Sequence, residues 1–318
     1  MWISPYKYIL SLGHLCSDIN QSILSAVLPF LIATYHYDYT TAAMLVTVSN
    51  VFGAFVQPFI EMLSDKKNRL LYMTLGVLLA SGGMAVTGFI SNFFGLCIVV
   101  IISGIGVVMF HPQAAKLFNS VSSKNAKGKG MSIFSFGGKV GFTLGPVYTA
   151  FLMNLFGMKG TILFLIPGIV FGIVCSFFNK DFENLDVLEV EKKEEVKSEQ
   201  KDDWSGFIKL CGVVFSRSIL SNGISTFLAF YFIQQFSKSN SFASMLLSVF
   251  YGIGSITFLG GGIADCFGHR KMVRLSFCIF LPAIFIFTNT SHFVIALIML
   301  IFMTCGESLS YSPMVVLG

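Results

Sequence analysis

The chain has 318 residues, of which 54% are hydrophobic and 12% are charged, and its mean hydropathy is +0.77. This composition excludes an ordinary soluble globular protein and is typical of a chain embedded in a lipid bilayer. The net charge of +5 does not indicate a nucleic-acid partner, because the cations form short clusters between apolar runs rather than one basic face.

Ten apolar segments are long enough to cross a membrane as helices, since about 20 apolar residues span the hydrocarbon core. We therefore predict an all-α membrane protein with ten transmembrane helices. The first segment is retained rather than cleaved as a signal peptide, because its apolar run continues past Asp18 to Pro29. The predicted segments are 7–35, 42–63, 70–90, 93–118, 130–156, 160–179, 206–236, 242–264, 273–289 and 293–317.

Lysine and arginine accumulate in alternate loops, which indicates the orientation of the chain, because short cytoplasmic loops collect these residues. With the amino terminus inside, the outer loops hold only Lys159 and Lys238, whereas most of the 21 cations lie on the inner side. We expect a multi-pass protein of the cell (inner) membrane with both termini in the cytoplasm.

One stretch differs from the rest, because residues 180–203 contain ten of the chain's 16 acidic residues. Mixed charge with few apolar residues is typical of a solvated linker, and a partner-binding role is the alternative. We divide the chain into a six-helix half at 1–179, a charged cytoplasmic linker at 180–205 and an incomplete second half of four helices at 206–318.

The two halves resemble each other at an offset of 200 residues. This offset aligns EMLSDKKNR with GGIADCFGHR, so that Asp65 meets Asp265, and nearly the same offset brings His111 onto Ser312. Internal duplication in an all-helical membrane protein is typical of transporters built from repeats.

The second of these loops, GGIADCFGHRK, resembles the signature between the second and third helices of each half in the major facilitator superfamily. The matching residues are Gly261, Asp265, Gly268 and Arg270. The amino-terminal copy keeps Asp65 and Arg69 but has Glu61 and Asn68 in place of the two glycines. Glu61 puts a carboxylate where two helices should approach closely, which departs from the tight inner gate of the family.

The stretch FGGKVGFTLGP resembles the fifth-helix signature of the superfamily's drug/proton antiporters through Gly141, Gly145 and Pro146, with Gly137 extending the same four-residue spacing. Glycines let a partner helix pack closely and proline bends a helix, and a general packing face is the alternative reading.

Within the superfamily, HLCSDINQSILSAVLP at 14–29 and GIGVVMFHPQAAKL at 104–117 are similar to the fosmidomycin-resistance-type exporters. The resemblance implies a proton-coupled exporter of small antimicrobial compounds, embedded in lipid and without a cofactor. The family has twelve helices, six plus six, so we expect the first ten of them here. We also expect a monomer and, from seven scattered cysteines without a CxxC pair, no metal site.

Ionisable groups inside the predicted helices are functional candidates, because a charge near the bilayer centre costs several kcal/mol. Asp18 and Glu307 are the candidate proton carriers, since a desolvated carboxylate can bind and release a proton, with a structural ion pair as the alternative for Asp18. The repeat offset also places Arg217 opposite position 17, so that an Asp18–Arg217 pair across the cavity is conceivable. The expected cavity residues are His14, Gln21, Lys139, Arg217 and His111.

Two of these cavity residues have a second interpretation. Lys139 is two residues from Gly137 and Gly141 and therefore points away from the glycines into the cavity, unless its stem reaches lipid phosphates. His111 lies near the cytoplasmic end of its helix, where an interfacial role is the alternative.

Other function classes find little support. The intramembrane-enzyme motifs HExxH and GxSxG do not occur, and GKGMS at 128–132 lacks the frame of a phosphate-binding loop, so we expect no enzyme. An uptake carrier of the same fold and a truncated, non-transporting membrane protein remain as alternatives.

Overall fold

The computed structural model describes residues 5–64, 69–120, 127–178, 204–258 and 268–317, and these residues are almost entirely helical. The helices are α1 (Pro5–Tyr35), α2 (Tyr39–Ser64), α3 (Arg69–Val86), α4 (Phe93–Ser120), α5 (Lys127–Phe156), α6 (Leu165–Phe177), α7 (Trp204–Phe236), α8 (Asn240–Phe258), α9 (His269–Asn289) and α10 (Phe293–Leu317). Short 3₁₀ segments, Thr87–Phe89 and Gly157–Phe164, follow α3 and α5. The all-helical prediction is confirmed.

The length and hydropathy of each helix indicate whether it can cross a membrane. Within the described ranges, seven segments are long and apolar enough, and one of them, Phe134–Phe177, runs through both α5 and α6. A shorter apolar stretch lies in α10 at Phe293–Leu309. Ten transmembrane helices therefore stay a prediction, although many large apolar side chains are exposed as a lipid-facing surface requires, for example Phe94 and Phe177.

The chain divides into two compact units, Met1–Lys197 and Ser198–Gly318. The charged linker predicted at 180–205 lies almost wholly outside the described residues, so its boundaries stay a prediction.

In the first unit, α1 is the central helix, because it contacts each of α2 to α6. Its polar residues Ser17, Asp18 and Asn20 are consequently buried. Asn20 is satisfied in part by donating hydrogen bonds to Cys16 O and Ser81 Oγ, both at 2.8 Å. A central helix that carries polar groups at its middle is where a solute or ion site would form.

The glycine spacing on α5 serves the contact with α1. A Cβ atom added at Gly137 or Gly141 would overlap backbone carbonyl oxygens of α1, and one at Gly145 would overlap Ser22 Oγ. The absence of side chains therefore lets the two backbones approach to contact distance. Pro146 follows inside α5, and the helix continues beyond it to Phe156.

In the second unit, α10 contacts α7, α8 and α9. Gly306 sets the α9–α10 approach, since an added Cβ would lie 2.9 Å from Phe280 N. At the other end of the unit, Tyr231 donates a 2.6 Å hydrogen bond to Phe287 O, and its ring packs against that of Phe287. These contacts hold the four described helices together as one body.

The internal repeat is visible in the helix boundaries. α3 and α9 begin at Arg69 and His269, and α4 and α10 begin at Phe93 and Phe293, in both cases 200 residues apart.

The first helix junction of each half is also repeated. His36 and Ser237, 201 residues apart, both have positive φ angles, of 58° and 49°. Asp38 and Ser239 then cap α2 and α8 by accepting hydrogen bonds from the backbone N–H groups three residues later. Hydrogen bonds from Thr41 lower the pKa of the Asp38 carboxyl, which lies outside the spans.

The residues of the signature loops are only partly described. Asp65, Gly261 and Asp265 lie outside the described residues, whereas Arg69 begins α3 and Arg270 lies in the first turn of α9. Gly268 precedes α9 with φ of 89°, a left-handed conformation that glycine adopts without strain. The carboxylate of Glu61 accepts a 3.0 Å hydrogen bond from Gln57 on the same helix.

Candidate functional site

Asp18 lies at the centre of the first unit between two histidines. Its side chain is 5% exposed, and its two carboxylate oxygens face different partners. Oδ2 lies 3.3 Å from Nε2 of His14, one turn earlier on α1, and Oδ1 lies 3.2 Å from Nε2 of His111 on α4. The helical spacing predicted the first contact, and the packing of α4 against α1 adds the second.

His14 is oriented by α5. Its Nδ1 atom lies 2.8 Å from the backbone carbonyl oxygen of Phe134, and its ring stacks on the Phe134 ring with centroids 4.2 Å apart. A carbonyl oxygen only accepts hydrogen bonds, so the hydrogen-bond pattern assigns a proton to Nδ1.

This assignment determines what must lie between His14 and Asp18. With Nδ1 protonated, neutral His14 presents a lone pair at Nε2, and an ionised Asp18 presents another at Oδ2. A favourable contact at 3.3 Å needs one further proton, on either Nε2 or Oδ2. The pair therefore suits the binding of one exchangeable proton in a buried place.

The same three side chains are also a possible metal-ligand set, with their ligand atoms within 4.8 Å of one another. The nitrogen-to-oxygen distance of 3.3 Å between His14 and Asp18 is at the long end of hydrogen-bond distances. A proton between these two atoms accounts for this contact without an ion.

Gly138 covers the cluster on the side that faces α5. An added Cβ at this position would lie 2.5 Å from both Asp18 Oδ2 and His14 Nε2. Only a glycine lets the α5 backbone lie directly over the contact between the two side chains, which excludes water from this side.

The other predicted cavity residues of the first unit lie at different places. Gln21 is exposed on α1, and Lys139 is half-buried on α5, directly after Gly138. His111 is half-exposed and contacts the buried carboxylate, so its position near the end of α4 is not purely interfacial. Whether Lys139 and Gln21 line a substrate cavity stays a prediction.

A second charged contact lies in the second unit. Arg217 on α7 forms an ion pair through Nη2 with Oε1 of Glu307 on α10, and the two side chains are 16% and 14% exposed. Ser221 donates a hydrogen bond of 3.2 Å to the same carboxylate oxygen. Asp18 and Arg217 thus each have an oppositely charged or chargeable partner within their own unit.

An apolar cavity of about 370 Å³ lies beside this pair, between α7, α9 and α10. Leu220 lines both this cavity and the small pocket at Arg217 and Glu307. A guanidinium next to an apolar cavity suits a small molecule with an anionic group and an apolar part.

Three contributors were not predicted from the sequence: the carbonyl oxygen of Phe134, Gly138 and Ser221. The first is a backbone atom, and no side-chain pattern points to it. Gly138 stands beside the regular glycine spacing, yet its adjacency to Gly137 could have indicated an unusually close approach of α5 to α1.

Comparison with known proteins agrees with this architecture. The MFS-type transporter YfnC of Bacillus subtilis is 24% identical over 278 residues, covering 85% of this chain and 68% of the relative. The fosmidomycin resistance protein of Escherichia coli is 22% identical over 269 residues, covering 83% of this chain and 66% of the relative. The chain thus spans about two thirds of the length of each of these relatives.

Among solved structures, a bacterial homologue of the human lysosomal transporter Spinster, in an inward-facing and occupied conformation, superposes with a TM-score of 0.78 at 17% identity. The superposition covers 98% of this chain and 73% of that one. The family model described as Major Facilitator Superfamily matches residues 10–318. The chain is therefore an integral, multi-pass membrane protein and belongs to the Major Facilitator Superfamily of transporters.

Proposed function

We propose that the protein is a secondary active transporter that exports small, anionic antimicrobial compounds in exchange for protons by alternating access. Fosmidomycin is the test compound, because one relative is the fosmidomycin resistance protein of Escherichia coli. In this proposal the protein lies in the inner membrane, and both termini face the cytoplasm.

The observation that carries the proposal is the buried contact between Asp18, His14 and His111. A carboxylate in the central helix of a membrane-embedded half, in contact with one imidazole from α1 and one from α4, is costly to bury, and such groups mark ion or substrate pathways. Because the contact between His14 and Asp18 requires one proton, gain or loss of that proton changes the charge of the site.

The remaining charged groups have roles in binding the cargo. Lys139 in the first unit and Arg217 in the second are each candidates to attract an anionic group, and the apolar cavity beside Arg217 receives an apolar part. Glu307 is the second candidate proton carrier, because it competes with an anionic substrate for Arg217. The protein then alternates between two conformations, one that binds the proton from outside the cell and one that binds the substrate from the cytoplasm.

A resistance assay tests the function. The complete protein, expressed in an Escherichia coli strain without its own fosmidomycin resistance protein, should restore growth at inhibitory fosmidomycin concentrations. Asp18→Asn should abolish the effect, whereas Asp38→Asn, the same change in the α1–α2 loop, should retain it because asparagine also caps helices. Unchanged susceptibility with a normally abundant parental protein would refute fosmidomycin export, and increased uptake would indicate an importer.

A further inference from the structure

We infer, on the basis of the proposed function, that the proton shared by His14 and Asp18 also holds α5 against α1, so that loss of this proton opens the contact between the two helices. We call this contact, formed by His14, Asp18 and the Phe134 carbonyl oxygen, the α1–α5 latch. In this proposal His14 is a positioning residue of the transport cycle and not only a neighbour of the proton carrier Asp18.

The number of protons at His14 decides which of its contacts are satisfied. His14 faces two groups that accept hydrogen bonds, the carbonyl oxygen of Phe134 at 2.8 Å and the carboxylate of Asp18 at 3.3 Å. Two protons between these three groups satisfy both contacts. One proton satisfies a single contact and leaves lone pairs facing each other in the other contact.

An unsatisfied contact in this cluster is costly. Asp18 is buried, and an unpaired polar group in such a place loses its hydrogen bond without gaining water. If the remaining proton stays on Nδ1, His14 and the carboxylate repel each other. If it moves to Nε2, His14 keeps Asp18 but loses Phe134 O, which is a backbone atom of α5.

The part of the latch that can move is α5. The carboxylate cannot retreat towards α5, because the backbone of Gly138 already lies over it. The His14 ring is stacked on Phe134 and lies edge-to-face with His111, with centroids 4.2 and 5.1 Å apart, so it cannot rotate freely. Separation of α5 from α1 gives both the carboxylate and the His14 ring room to move. The interface has no interlocking side chains at Gly137, Gly138 and Gly141 that would prevent this separation.

Other titratable groups lie on the helices that pack against α1. Besides His14, the group whose charge acts on Asp18 is His111, which keeps contact with Oδ1 when the other proton leaves. The titratable residues on helical segments that contact α1 are Tyr39 and Glu61 on α2, Arg69 and Tyr72 on α3, Cys97, His111 and Lys116 on α4, Lys127, Lys129, Lys139 and Tyr148 on α5, Lys159 in the 3₁₀ segment after α5, and Cys175 on α6.

The latch links the proton to the cargo. Lys139 directly follows Gly138, so a shift of α5 at the latch necessarily moves the backbone of a residue proposed to attract the anion. Coupling between proton and substrate then needs no direct contact between them, because one rigid helix responds to both.

Dipolar broadening between two nitroxide labels tests the latch directly. The labels are placed at Tyr8→Cys on α1 and Phe136→Cys on α5, both exposed positions, in the complete protein with its native cysteines replaced. Raising the pH from about 5 to about 9, across the range in which histidines titrate, should reduce the broadening reversibly. Broadening that does not change with pH would overturn the latch, whether or not the protein transports protons.

Two variants sharpen the result. Asparagine at position 18 donates an amide hydrogen to Nε2 of neutral His14, or accepts one through Oδ1 from protonated His14. Asp18→Asn should therefore keep the labels close throughout, whereas His36→Gln, in the α1–α2 junction, should respond like the parent. A full pH response in Asp18→Asn would also overturn the latch. A parental response without any substrate-driven proton flux would support the latch and refute the proposed function, so the two failures are distinct.

Discussion

Asp18 and Glu307 were predicted from the same feature, an acid deep within an apolar helix, but their partners differ in chemistry. Asp18 contacts two imidazoles, a group that exists in a neutral and a protonated form, whereas Glu307 contacts a guanidinium, a group without an accessible neutral form. Proton exchange therefore fits the cluster at Asp18 better than the pair in the second half.

The Arg217–Glu307 pair allows a stability prediction. Glu307→Gln leaves a largely buried guanidinium without its counter-charge and should destabilise the protein by about 3 kcal/mol. Replacing both residues, in Arg217→Leu/Glu307→Leu, should cost less than the single change because no unpaired charge remains. Thermal unfolding in detergent compares the variants, and a double variant less stable than Glu307→Gln would contradict the expectation.

Lys139 is the residue for which the cavity and lipid interpretations still compete. If its ammonium attracts the substrate, Lys139→Met should lose transport of anionic compounds at normal protein abundance, by about tenfold or more for one lost charged contact. Lys159→Met, in the segment after α5, is the control and should transport like the parent. Parental transport by Lys139→Met would favour a lysine that contacts lipid phosphates.

At the scale of helices, the two halves repeat one arrangement. The first half joins α1 to α4 through Asp18 and His111, and the second joins the corresponding α7 to α10 through Arg217 and Glu307. Acid and base exchange places between the halves. A charged contact between the first and fourth helix of each half is thus retained while its chemistry differs.

The helices themselves could be predicted from the sequence, because apolar length and loop charge are local properties. The start of α4 at Phe93 and of α10 at Phe293 agrees with the prediction to the residue. His111 was not connected to Asp18, since 93 positions separate them and only the packing of α4 on α1 brings them together. The Phe134 contact needs three-dimensional information for the same reason.

The α1–α5 contact predicts a sharp difference between two glycines of the first half. Gly141→Ala introduces a methyl group that overlaps Leu15 O and should destabilise the protein by about 1–3 kcal/mol. Gly82→Ala, on α3 with no atom within 4 Å of the added Cβ, should be neutral or stabilising by up to about 1 kcal/mol. Equal melting temperatures for both variants would show that α5 does not pack on α1 through its glycines.

At the scale of the whole molecule, the distribution of lysine and arginine predicts the topology. Cysteines at Lys159 and Ser239 should react with an impermeant reagent from outside, and cysteines at Asn125 and Glu194 only after permeabilisation. The last two positions lie outside the described residues, so labelling is an independent test. Reaction of Glu194→Cys in intact cells would contradict the proposed orientation.

Two repeated units are the construction expected of a member of this family. Halves related by a repeat provide two similar bodies whose relative movement exposes a site to either side of the membrane. The repeated boundaries, with junctions at His36 and Ser237, agree with this construction. Proton coupling, in contrast, depends on a few side chains and not on the architecture.

Proton movement driven by fosmidomycin, measured in proteoliposomes that contain the complete protein, tests this coupling most directly. A fosmidomycin gradient should drive protons in the opposite direction through the parent, and Asp18→Asn should abolish the proton movement at unchanged protein abundance. Fosmidomycin transport that proceeds without proton movement, or a parental proton flux in Asp18→Asn, would contradict the assignment of Asp18 as the proton carrier.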